Sequence, residues 1–171
     1  MCIRDSDKHE LAQSALVGRA SAYRQSGEPD KAILDVRSFL KTEPEGKVKI
    51  DAMYEMGLAQ IDKKDWPNVA VTFNELLKAD GDSNLADQFH YELAWANRSL
   101  KQDEKALPHF GSIASKFPAS KHAAEANFHL AQHQYGQDKF QDALPLYQKS
   151  CLLYTSPSPR DRTRSRMPSS A

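Results

Sequence analysis

Four stretches of the chain, ALVGRASAYRQSGEPDKAILDVRSFL, AMYEMGLAQIDKKDWPNVAVTFNELL, FHYELAWANRSLKQDEKALPHFGSIA and ANFHLAQHQYGQDKFQDALPLYQKSC, align without a gap at a spacing of 37 residues. Self-similarity at a fixed period constrains a fold more than any single element does, because every copy must solve the same packing problem. One column reads Ala20, Gly57, Ala94, Ala131, and twelve residues on another reads Ala32, Val69, Ala106, Ala143. Small residues recur where two backbones must come close. Four residues beyond the second column stand Val36, Phe73, Phe110 and Tyr147, and three beyond those Phe39, Leu76, Ile113 and Ser150. Offsets of four and three put each set on one face of an α-helix, so every copy holds a core-facing second helix. The first helix of each copy follows the same rule through Leu16, Met53 and the pairs Met56/Gly57, Leu93/Ala94 and Leu130/Ala131.

The segments between these helices, SGEPD, KKDWP, KQDE and GQDKF, combine turn residues with helix-start signals. Pro29 and Pro67 suit a first helical turn, and Asp30, Asp65, Asp103 and Asp138 complement its positive end. TEPEG, ADGDS and KFPAS break the helix again after each second helix. Pro108 and Pro145 fit if their helices begin near Asp103 and Phe140, which puts each proline at the end of the first turn. A helical hairpin cannot bury its apolar faces alone, and stacking on neighbours supplies the missing surface. The expected fold class is therefore all-α: a right-handed helical solenoid of four antiparallel helix hairpins with irregular ends. The repeats are expected at about 13–49, 50–86, 87–123 and 124–150.

Composition narrows the function. The chain has 171 residues and equal numbers of basic and acidic side chains, 23 each, but four arginines lie in the tail after residue 150. Without the six-residue head and that tail, residues 7–150 carry 18 basic against 21 acidic residues. A mildly acidic body does not track phosphates, so no nucleic acid is expected as a partner. No stretch approaches ~18 consecutive apolar residues, so no direct membrane insertion is expected. Both cysteines, Cys2 and Cys151, lie in the flanking segments, which leaves the body without a thiol for a disulfide or a zinc site. There is no Gly-rich phosphate loop, no Gly-x-Ser-x-Gly turn and no His-Glu-x-x-His helix, and neither enzyme activity nor a cofactor is expected.

The columns resemble the tetratricopeptide repeat. Repeat one supplies Ala20, Tyr23, Ala32 and Pro44; repeat three supplies Leu93, Ala94, Ala106, Phe110 and Pro118. Val69 replaces the usual alanine, and Gln60, Asn97 and Gln134 stand where the family often has tyrosine. The period of 37 exceeds the family's common ~34. The link KFPASKHAAEANFHLA, which carries the extra residues, is similar to that of bacterial envelope repeat proteins, the Tol-Pal accessory protein and the repeat lipoprotein of outer-membrane β-barrel assembly. That resemblance implies a bacterial origin and a periplasmic or envelope location. The ends, MCIRDS at 1–6 and the segment 151–171 beginning CLLYTSPSPRD, resemble translated sequencing adapter. They are expected to be non-native, the second of them disordered.

The resemblance implies a protein-binding scaffold that grips a protein or peptide segment in a concave groove lined by the first helices. The groove candidates are Arg24, Tyr54, Tyr91, Trp95, Arg98, Phe128 and Tyr135, with Leu58 and Gln132 on the same side. Aromatic side chains bury area at low entropic cost and arginine pairs with carboxylates, which suits a peptide groove. The competing reading is that these aromatics pack helix on helix. His122, His129 and His133 share a helical face near Glu125 and are the weak candidates for a divalent metal, but His133 replaces Ala22, Ala59 and Ala96 of its column, so no metal site is expected. Two alternatives remain: a regulatory or substrate-docking region of a larger enzyme, and, more weakly, a metal-binding module.

Overall fold

In the computed structural model, the structure describes residues 3–155, with side chains described from Leu11 to Tyr154. The chain is all-α, and eight helices follow one another among the described residues: α1 (Ile3–Gln25), α2 (Pro29–Leu40), α3 (Gly46–Asp62), α4 (Trp66–Asp80), α5 (Ala86–Ser99), α6 (Asp103–Lys116), α7 (Ala123–Gly136) and α8 (Phe140–Thr155). They pack as sequential hairpins and divide into two compact units, one ending at His109 and the other starting at Phe110, so that α6 crosses the division. None of these helices is long and apolar enough to cross a membrane.

The 37-residue columns account for the interior. Ala20, Ala94 and Ala131 are 0% exposed and Gly57 is buried; Ala32 and Val69 are fully covered, and Ala106 and Ala143 nearly so. The bulky columns follow, with Val36, Phe73, Phe110, Phe39, Leu76 and Ile113 all buried, while Tyr147 is half-buried and Ser150 buried. In the first unit, α1 packs on α2 and α3, α2 on α3, α3 on α4, and α4 on α5. One apolar cluster gathers Ala20, Ile33, Val36, Phe39 and Ala59; a second gathers Met53, Val69, Phe73, Leu76, Phe89 and Leu93. In the second unit α7 packs along α8.

Every hairpin turns in the same way. The N–H groups of Glu28, Asp65, Gln102 and Lys139 donate to the carbonyls of Tyr23, Gln60, Asn97 and Gln134, while those of Gly27, Lys64, Lys101 and Asp138 donate to Arg24, Ile61, Arg98 and Tyr135. That bond pair is the Schellman helix end, which satisfies otherwise orphaned carbonyls and needs a left-handed residue. Gly27 supplies it at φ 80°, and its equivalents Lys64, Lys101 and Asp138 adopt φ 58°, 60° and 58°. Only the first repeat uses the residue that takes this conformation without steric cost.

Helices α6 and α8 begin at Asp103 and Phe140 as expected, but Pro108 and Pro145 are the sixth residue of each helix, inside its second turn and not at the end of the first, so each removes one helical N–H donor. At the C-terminal side α8 runs through Cys151 to Thr155, past the repeat boundary expected at 150. The rest of the arginine-bearing tail, and residues 1 and 2, lie outside the described residues.

Candidate functional site

In the first unit, Tyr91, Trp95 and Arg98 follow each other along α5 at spacings of four and three, which brings all three to one face. All are half-buried. Tyr91 meets Trp95 nearly edge-to-face, with ring centroids 6.3 Å apart and planes at 71°. Arg98 Cζ lies 5.3 Å from the centre of the Trp95 ring, and Arg98 Nε lies 3.4 Å from Asp103 Oδ1 at the start of α6. A guanidinium over an indole face is attracted by the ring's quadrupole, and the carboxylate limits its rotation. The three side chains thus form a continuous aromatic and cationic ladder.

Arg24, on α1, is engaged differently. Its Nε donates to Glu55 Oε2 at 3.2 Å, and its Nη1 stands 3.6 Å from Asp62 Oδ2, so one guanidinium spans two carboxylates one α3 face apart. Those acids were not read from the sequence as site residues, although Glu55 and Asp62 lie seven apart on the helix next to Tyr54. Tyr54 belongs partly to the core. Its ring stands edge-on to Phe73, centroids 6.1 Å apart at 89°, and 5.7 Å from Phe89. Burial pushes its phenol above the ordinary value near 10, and the carboxylates of Glu92 and Glu55 add in the same direction. For Tyr54 the helix-on-helix packing reading therefore holds alongside its half-exposed placement.

In the second unit, Phe128 is exposed on α7, 5.9 Å from the Tyr147 ring and 5.6 Å from the His129 ring, and Tyr135 is exposed with its ring 5.1 Å from Phe140. The α7 histidines are engaged one by one. His122 is buried at the start of the helix; His129 Nδ1 lies 3.3 Å from Gln132 Oε1 and its Nε2 3.7 Å from Glu125; His133 Nε2 accepts from Gln137 Nε2 at 2.9 Å. No group of three or more His, Cys, Asp or Glu side chains suited to a metal ion occurs among the described residues.

The departures at Gln60 and Asn97 have polar reasons. Buried Gln60 Oε1 accepts from the hydroxyl of Thr72 at 2.9 Å, and buried Asn97 Nδ2 donates to the Leu93 carbonyl at 2.8 Å. A tyrosine at 60 would remove the acceptor of the buried Thr72 hydroxyl, whereas the Leu93 carbonyl lies one turn before Asn97 within α5 and would keep its helical bond. A third contact, between the half-buried His90 and His109, was not legible in the sequence at all: their Nδ1 atoms stand 3.1 Å apart.

The tetratricopeptide repeat pattern matches residues 89–120, the span that holds the ladder. The fold is tetratricopeptide-like. Among solved structures, the MamA RS-1 ArsTM double mutant is similar at TM-score 0.66 and 20% identity, over 82% of this chain and 74% of its own. MamA MSR-1 C2 is similar at TM-score 0.67 and 14% identity, over 85% and 79%. MamA AMB-1 P212121 is similar at TM-score 0.52 and 12% identity, over 90% and 98%. At these identities the likeness is one of fold. No curated protein matches the chain. The finer resemblance to Tol-Pal and β-barrel assembly proteins is not carried by these comparisons.

Proposed function

We propose that this chain is a protein-interaction scaffold that captures an extended or helical segment of a partner protein, with Tyr91, Trp95 and Arg98 as the principal contact residues. The observation that supports this is the ladder itself: two large aromatics and a guanidinium, half-buried, in fixed mutual geometry on one face of α5. Aromatic and arginine side chains held in place before binding lose little entropy on contact, and such residues dominate measured interfaces. Arg24, Tyr54, Phe128 and Tyr135 are proposed as secondary contacts. A tetratricopeptide-like array supplies recognition by a preformed surface, without bond making or breaking.

The array is proposed to comprise residues 7–150. A bacterial envelope location belongs to the same proposal and rests on the link KFPASKHAAEANFHLA; a secretory signal in the upstream reading frame of the parent gene would support it, and its absence there would count against it.

The test is selection of peptides from a random displayed library on the immobilised chain, followed by anisotropy titration of the selected peptides. Trp95→Ala with Arg98→Ala is expected to weaken binding by about tenfold or more, while circular dichroism shows unchanged helicity. Equal affinity of parent and variant would remove the proposal.

A further inference from the structure

One second-helix position recurs as Asp35, Thr72 and His109, spaced by the repeat, and each time its side chain reaches the first helix of its own hairpin. Asp35 accepts two bonds from Arg19, at 2.7 Å from Nε and 2.5 Å from Nη2. Thr72 donates to Gln60 at 2.9 Å. His109 meets His90, Nδ1 to Nδ1, at 3.1 Å, with ring centroids 5.4 Å apart and planes at 40°. The third tie differs in kind, because both of its ends are nitrogens able to ligate a metal.

We propose that His90 and His109 form a two-imidazole binding site for a divalent transition ion of the zinc, nickel or copper class. An ion ~2.0–2.1 Å from each of two imidazole nitrogens in tetrahedral geometry holds them about 3.3 Å apart, so the observed 3.1 Å separation needs only a small ring adjustment. Without an ion, one Nδ1–H donates to the other Nδ1. Moving that proton to the Nε2 of the same ring aims both Nδ1 lone pairs inward and leaves both imidazoles neutral, so the pair loses no proton on binding. Burial lowers the pKa of His109 below its ordinary 6.5, which favours the neutral ring that a metal ligand must be.

The ligands come from α5 and the first half of α6, joined by the Schellman turn at Lys101, and their Nδ1 atoms already stand 3.1 Å apart. Two protein ligands leave water to complete the shell, which places the affinity below that of a closed structural site. Nitrogen donors alone select against magnesium and calcium, which take oxygen ligands.

Calorimetric titration with Ni2+ at pH 7.5 tests this in a tag-free Cys2→Ser/Cys151→Ser chain, which removes both thiols. One equivalent is expected to bind and to raise Tm. Binding is expected to weaken by about tenfold or more in His90→Gln and in His109→Gln, and to be unchanged when His122, His129 and His133 are all replaced by Gln. Mg2+ is expected to give no heat. A second measurement leaves both rings in place: with Zn2+ added to the chain that keeps all its histidines, the imidazole 15N resonances of His90 and His109 should shift together at Nδ1. No saturable heat, full binding in both Gln variants, or shifts confined to other histidines would overturn the proposal.

Discussion

Gly57→Ala is expected to cost stability, although the same change in an ordinary helix interior is favourable. A Cβ built at Gly57 stands 2.8 Å from Phe73 Cε2 and 3.0 Å from Cζ, inside the separation that packed carbons adopt. The Phe73 ring has little room to retreat. It is 0% exposed, edge-on to Tyr54 and 6.1 Å from the Phe89 ring centre. Two effects then compete. Helix propensity favours alanine over glycine by about 1 kcal/mol, whereas forcing a methyl into a closed core costs about 1–3 kcal/mol. The net expectation is a loss of about 0–2 kcal/mol, which for a unit of this size lowers Tm by up to about 10 °C. The deciding comparison is the same substitution beside Phe73→Leu. Removing the ring edge removes the clash, so Gly57→Ala should there regain its gain of about 1 kcal/mol, and the double-mutant cycle should show a coupling of about 1–3 kcal/mol. Urea unfolding followed by circular dichroism measures all four corners. If Gly57→Ala stabilises equally in both backgrounds and the cycle closes to within about 0.5 kcal/mol, the close approach of α3 to α4 at this column is refuted.

Two further outcomes are expected. Lys64→Gly, Lys101→Gly and Asp138→Gly relieve left-handed strain, which costs an L-residue about 1–2 kcal/mol; after the extra flexibility glycine gives the unfolded chain, each should raise stability by about 0.5–1 kcal/mol, and a lower urea midpoint would contradict the Schellman geometry. Stability should also fall on acidification below pH 6.5. Burial depresses the folded pKa of His109, so the unfolded chain takes up the proton first as pH drops, and the loss accumulates from about 6.5 down through the folded value. The difference in urea midpoint between pH 7.5 and pH 5 should shrink in His109→Gln; an unchanged difference would show that the loss arises elsewhere.

The helices and their register were legible because a period fixes many positions at once. Ala20, Gly57, Ala94 and Ala131 needed only one shared environment to be read correctly, and all four are buried. The start of α6 and α8 followed from the same columns despite Pro108 and Pro145. Site chemistry was less legible, for physical reasons. Tyr54 and Tyr91 occupy one column, yet Tyr54 leans on Phe73 and Phe89 while Tyr91 meets Trp95, a difference set by side chains on neighbouring helices that spacing along one helix does not report. His90 and His109 are 19 residues apart and share no helical face; they meet because the turn at Lys101 folds two helices together. Their columns otherwise hold Leu16, Met53 and Asn127, and Asp35, Thr72 and Leu146, which gives no periodic signal for histidine. The α7 histidines carried the stronger sequence signal because they share a helix, but a shared face does not bring imidazole nitrogens to one point.

The cross-links at Asp35, Thr72 and His109 give three successive hairpins three different sensitivities to their surroundings. The bond to Arg19 joins charges near solvent and weakens as counterions accumulate. The imidazole contact yields to acid, and the hydroxyl-amide bond at Thr72 answers to neither. Brine and mild acid should therefore loosen different parts of one chain, with a neutral fastening between them.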